Sequence, residues 1–187
     1  MNFKTFIKRL EEARDFSRIE NAYSHIVYDI FNLTLDTSKY VLIDTSTYKR
    51  NENRQDSLVP NDAIAVPDFV IGNCADKIDG VNRLGCIEVK YFASDIENAD
   101  HLSLSNDRLE NHYTEGMVRK GYLSLYHNVI YTNGWKWRIF VNKKSCSIEF
   151  DFTKEENQTN EYYGIFLAEL FQFNWNSLES GNVEWVH

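Results

Sequence analysis

Hydrophobic positions along the chain fall into stretches of two different periods. From Asn2 to about Leu33, Phe3, Phe6, Ile7 and Leu10, then Ile19, Tyr23, Ile26, Val27, Ile30 and Phe31, recur at helical spacing. Their phase changes near Asp15-Phe16-Ser17, which predicts two helices rather than one. Ser17 followed three residues later by Glu20 has the form of a capping box, marking the start of the second helix. Tyr40–Asp44 reads as a short strand, and a polar loop follows from Thr45 to roughly Asp62. Val66–Gly72 and Gly85–Tyr91 are β-branched and aromatic runs bounded by glycine, and the connector between them carries Asp79-Gly80, so the two predict a hairpin.

The second half is read the same way. Residues 92–104 are mostly polar and predict a loop. Ser105 to about Tyr126 predicts a helix that buries Leu109, Tyr113, Met117, Tyr122, Leu123 and Leu125, although Gly116 and Gly121 weaken it. Asn133-Gly134 is the strongest turn signal in the chain and joins the strand Val129–Thr132 to Trp137–Val141. Trp135, Trp137 and Phe140 suit core packing better than a stacking platform, because Trp137, Ile139 and Val141 alternate onto one sheet face. Ser147–Phe152 predicts a further strand. Asn160–Phe173 predicts an acidic amphipathic helix with Tyr163, Ile165, Phe166, Leu170 and Phe171 as its apolar positions. A helical crossover would set Val129–Thr132 parallel to Gly85–Tyr91, while the hairpins are antiparallel. The expected fold is therefore α/β, a mixed central sheet flanked by helices.

Composition narrows the picture. At 187 residues the chain suits a single domain, 1–187, with an acidic helical extension over about 153–187. No long apolar run follows the early basic residues, so neither a signal peptide nor a membrane span is expected. Cys74, Cys86 and Cys146 are odd in number and lack CxxC spacing, which favours a reducing, cytoplasmic setting over a disulfide framework. The five histidines show no metal-ligand spacing. Net charge is −8, but residues 149–187 hold eight acidic side chains against one basic one, so the rest of the chain is close to neutral. Strong autonomous binding to nucleic acid is not expected from that balance. Lys49, Arg50 and Arg54 fit either a solvated loop or contacts along a phosphate backbone.

One polar group stands out against this background. In the predicted hairpin Glu88 and Lys90 share a strand face about 7 Å apart, Ile87 and Val89 take the other, and Asp68 turns away from Pro67 and Phe69. In the right register Asp68, Glu88 and Lys90 converge. Two neighbouring carboxylates repel unless a positive charge lies between them, which a hard divalent cation supplies. The other reading is a surface ion pair between Glu88 and Lys90, with Asp68 capping a turn. Glu20 likewise has two readings, as the capping-box residue and as a further acidic group near the site.

Pro67-Asp68 and Glu88-Val89-Lys90, with a helical glutamate upstream and Ile130-Tyr-Thr-Asn-Gly-Trp-Lys-Trp-Arg-Ile-Phe140 downstream, resemble the PD-(D/E)XK, or restriction-endonuclease-like, nuclease superfamily. The similarity is to the nuclease domain of type I restriction subunits and of fused restriction-modification enzymes, over roughly residues 15–142. It implies a restriction-endonuclease-like fold and a Mg²⁺-dependent DNA endonuclease, with Mn²⁺ able to substitute. Asp68, Glu88 and the Val89 backbone carbonyl would hold the metal, with Glu20 acting through a water, and Asp68, Glu88, Lys90 and Glu20 would form the catalytic set. Arg108 stands nearest a glutamine found in the family's crossover helix, with Tyr113 one residue off the family's tyrosine. Arg108 then has a phosphate contact and a structural salt bridge as alternative roles. DNA is the implied partner, with a methyltransferase, translocase or specificity subunit supplying what this module lacks. The competing expectations are a catalytically inactive nuclease-fold protein acting in DNA binding or protein assembly, and a nuclease directed at RNA.

Overall fold

The computed structural model describes residues 1–17, 20–46, 59, 63, 65–74, 83–90, 111–114, 117–141, 146–173 and 175. Helix α1 (Phe3–Glu12) is capped by Asn2, whose side chain accepts the Thr5 amide at 2.9 Å. It runs into a π-helical turn at Ala13–Ser17, and α2 follows at Glu20–Thr34. A π turn inserts an extra residue into the helical repeat, which accounts for the change of phase in the apolar pattern there. The link at residues 18–19, and with it any cap made by Ser17, lies outside the described residues.

Strands β1 (Tyr40–Asp44), β2 (Phe69–Asn73), β3 (Arg83–Val89), β6 (Asn128–Thr132), β7 (Lys136–Phe140) and β8 (Cys146–Asp151) form one six-stranded sheet in the order β1-β2-β3-β6-β7-β8. β3 and β6 run parallel, pairing Gly85 with Asn128 through Val89 with Thr132, and the other neighbours are antiparallel. The sheet is thus mixed, as the sequence pattern predicts. β2 begins at Phe69 rather than Val66, because Pro67 has no amide to give a ladder. The Pro67 carbonyl instead accepts the Thr45 hydroxyl at 2.6 Å.

Each face of the sheet is covered. Helices α1, α2 and α4 (Asn160–Gln172) bury Phe6, Tyr23, Ile30, Phe31, Tyr163 and Phe166 against Phe69, Ile71, Ile87, Ile130, Trp137 and Ile139. On the other face Tyr122 and Tyr126, from and just after the one-turn helix α3 (Tyr122–Leu125), pack on Val70, Cys86, Val129, Tyr131 and Phe140. From Cys86 onward alternate positions of β3 serve different cores, Ile87 and Val89 one and Cys86 the other, as a two-residue period produces in a doubly covered sheet. Leu84, at the irregularity in the β2–β3 register, joins the core of Ile87. Gly134 carries the β6–β7 turn at φ 81, and the Asn133 side chain accepts the Trp135 and Lys136 amides.

Two expectations change. Where a helix is predicted over Ser105–Tyr126, the described residues form a two-stranded ribbon, β4 (His112–Thr114) and β5 (Met117–Arg119), followed by α3 alone. Glycine at 116 and 121 breaks a helix at two points within six residues, and between them Val118 and its neighbours pair across a short antiparallel ladder. Tyr113 and Met117, predicted buried, are exposed. In α4 the buried stripe is Tyr163, Phe166 and Leu170, so Ile165 and Phe171 face outward rather than into the core. Asp79-Gly80, the basic residues at 49, 50 and 54, and Leu109 lie outside the described residues.

Candidate metal and phosphodiester site

The site lies where β3 ends beside the start of β2. Phe69 pairs with Ile87, so Asp68 and Glu88, each one residue further along, come side by side. The Asp68 backbone is tied on both edges: its amide donates to the Ile87 carbonyl at 3.1 Å and its carbonyl accepts the Thr45 amide at 2.9 Å. Its carboxyl is anchored too, because Oδ2 accepts the Val89 amide at 2.7 Å. A loop aspartate held at three points has little freedom left in its second oxygen.

Glu88 is 1% exposed, an unusual depth for an acidic side chain. Oε1 pairs with the Lys90 ammonium, and Oε2 accepts the Tyr122 hydroxyl at 2.7 Å. Burial of a carboxylate is costly unless charge and hydrogen bonds compensate, and these two partners supply both. Lys90 Nζ also lies 3.1 Å from the Val89 carbonyl and 3.7 Å from Glu20 Oε2, with the Tyr131 ring centroid 6.0 Å away. The Lys90 amide donates to the Thr132 carbonyl at 2.8 Å, continuing the parallel pairing one step past β3. Glu20, the first residue of α2, reaches the same spot from the opposite side of the sheet end.

Asp68 registers the local electrostatics. Burial, and then the neighbouring Glu88 and Glu20 charges, raise its pKa from 3.8 to about 7 against the opposing pull of the Val89 amide and Lys90. The strand also buries Cys86, whose thiol pKa is pushed well up by burial and by Glu88 and Asp68. An acid pushed up toward neutrality by burial and by a second carboxylate is a place where added positive charge is favoured. The donors are all oxygen: the carboxyls of Asp68 and Glu88 and the carbonyl of Val89. Such a set fits a hard cation of the Mg²⁺ kind. Among the described residues no group of three or more His, Cys, Asp or Glu side chains forms a ready-made cage.

No protein-family model matches the chain, and no curated protein matches it in sequence. Among solved structures it is similar to a cryo-EM structure of a DrdV–DNA complex, with a TM-score of 0.49 and 17% sequence identity, over 92% of this chain and 14% of that one. This chain thus spans a small part of the length of that neighbour. The chemistry has to be read from the side chains themselves.

All four expected side chains, Asp68, Glu88, Lys90 and Glu20, come together. Arg108 lies outside the described residues. Tyr122 is the participant that sequence reasoning misses: its spacing marks it as a core residue, and it is fully buried, but its hydroxyl ends on Glu88. The signal that could have found it is its position directly after Gly121, which stands as the N-cap of the one-turn helix α3. Gly121 and Ser124 are in turn held by the Asn111 side chain, at 3.0 and 2.6 Å.

Proposed function

We propose that this chain is a metal-dependent endonuclease module that hydrolyses phosphodiester bonds in DNA. The observation that carries the reading is the convergence of Asp68, Glu88, Lys90 and Glu20, drawn from a loop, a strand end and a helix start, at one end of the sheet. Asp68 and Glu88, with the Val89 carbonyl, would hold a Mg²⁺ or Mn²⁺ ion. When bound, that ion supplies Lewis acidity toward a phosphoryl oxygen and lowers the pKa of water.

This chain's residues do the rest. Tyr122 and the buried surroundings keep Glu88 in one orientation. Lys90, tethered between Glu88 and Glu20, offers its ammonium to the attacking water or to the negative charge that grows on the phosphate. Glu20 is half-exposed and can accept a hydrogen bond from water on the solvent side of Lys90. Preorganised charges of this kind act mainly by stabilising the transition state rather than by binding substrate.

The test is cleavage of duplex DNA with Mg²⁺ or Mn²⁺. Wild type should cut, EDTA should stop it, and Asp68→Ala and Lys90→Ala should each lose at least about a hundredfold in rate while melting as folded proteins. Equal cutting by the variants and wild type would assign the activity elsewhere. Absence of cutting with every divalent ion would leave a nuclease-fold protein that binds rather than cleaves.

A further inference from the structure

The β4–β5 ribbon is built in a way that the core does not explain. Its register pairs Tyr113 with Val118 and Thr114 with Met117. Tyr113 is 76% exposed, Met117 57% and Val118 45%, so large apolar side chains on both faces of the ribbon stand in solvent. Arg119 and Lys120 follow directly and are exposed as well. A two-stranded ribbon is marginal by itself. Here it is anchored at its base through the Ala63–Lys120 bridge and the Asn111 bonds to Gly121 and Ser124. Its position relative to the site follows from the chain. Two peptide links, at most about 7.6 Å of backbone, separate Lys120 from Tyr122, whose hydroxyl is 2.7 Å from Glu88.

We infer that this ribbon is a reading arm that enters the major groove of duplex DNA beside the candidate site, an inference that rests on the nuclease reading of that site. Three features select this occupant. A two-stranded ribbon fits the width of the B-form major groove, while the A-form groove is too narrow to admit it. Exposed Arg119 and Lys120 at the base of the arm match phosphate in a chain whose net charge is −8. Exposed Tyr113 and Val118, opposite each other in the register, offer apolar contact to base edges and thymine methyl groups. Glu115 and Gly116 lie outside the described residues.

Fluorescence anisotropy of a labelled DNA duplex with the full chain in EDTA, across a salt series, tests the arm. Asp68→Ala should bind at least as tightly as wild type. Arg119→Gln with Lys120→Gln should weaken binding about tenfold and flatten the salt dependence, lowering its slope by about two. Tyr113→Ala with Val118→Ala should weaken binding with the slope unchanged, and duplex RNA should compete poorly. Thermal melts check that these exposed changes leave the fold intact. Ribbon variants that bind like wild type, while Asp68→Ala has lost cutting, overturn the arm and leave the nuclease assignment standing. Binding lost in the ribbon variants of a wild type that never cuts supports the arm and removes the nuclease. Wild type that does not bind the duplex, or that duplex RNA displaces equally well, overturns the arm.

Discussion

Asp68 makes a pH signature of its own. In the unfolded chain its carboxyl titrates near 3.8, and in the folded protein near 7. Between those values the folded state keeps a proton that the unfolded state has released, so the stabilising contribution is full below about 4 and is lost as pH rises toward 7. A rise of that size corresponds to a few kcal/mol, on the order of 4 at most. Metal-free wild type should therefore lose stability from pH 4 to 7 relative to Asp68→Asn, and thermal melts in EDTA measure it. Parallel profiles for the two proteins would refute this account of the site. Tyr122→Phe removes a single hydroxyl, the donor to Glu88. Leaving that buried carboxylate short of a partner should cost about 1–3 kcal/mol, read as a lower midpoint in denaturant. A variant as stable as wild type would mean that the bond contributes nothing.

At the scale of elements, the β6–β7 turn shows how local chemistry and packing meet. Gly134 has φ 81, and a Cβ there would sit 2.7 Å from Leu10 Cδ2. Gly134→Ala faces left-handed strain of about 1–2 kcal/mol together with a clash against α1, so a clear drop in melting temperature is expected. Melting unchanged from wild type would show that the turn relaxes freely. The Asn-Gly pair is legible in the sequence because a tight hairpin demands that backbone geometry whatever packs around it. The ribbon at β4–β5 is the opposite case. Leu109, Tyr113 and Met117 keep a helical spacing of four residues, yet glycines at 116 and 121 interrupt a helix there and the chain pairs with itself instead. Ile165 and Phe171 are similar, because α4 has more apolar residues than its buried stripe uses.

On the scale of the whole molecule, one sheet with two covered faces ties the site to the core. β3 contributes Ile87 and Val89 to one core and Cys86 to the other, with Glu88 between them. The two cores should therefore unfold together, and tryptophan fluorescence and far-ultraviolet circular dichroism should give coincident transitions in denaturant. Separated transitions would mean that the faces are independent. Trp137 is fully buried, near Phe31 and Phe166. Trp137→Ala should cost about 3–5 kcal/mol, the largest loss among these substitutions. No helix among the described residues is long and apolar enough to cross a membrane.

By itself the sequence determined the features that neighbours along the chain decide: the break between α1 and α2, the strands of the six-stranded sheet, the turn at Gly134, and the alternation that sets Glu88 and Lys90 on one face. Only the tertiary structure decided that Glu20 reaches Lys90, that Tyr122 ends on Glu88 from 34 residues away, and that Asp68 holds its proton to near neutrality. Side-chain periodicity is a property of the local backbone. Register, burial and the field at a carboxyl depend on residues far apart in the chain, and they take values only when the sheet has assembled.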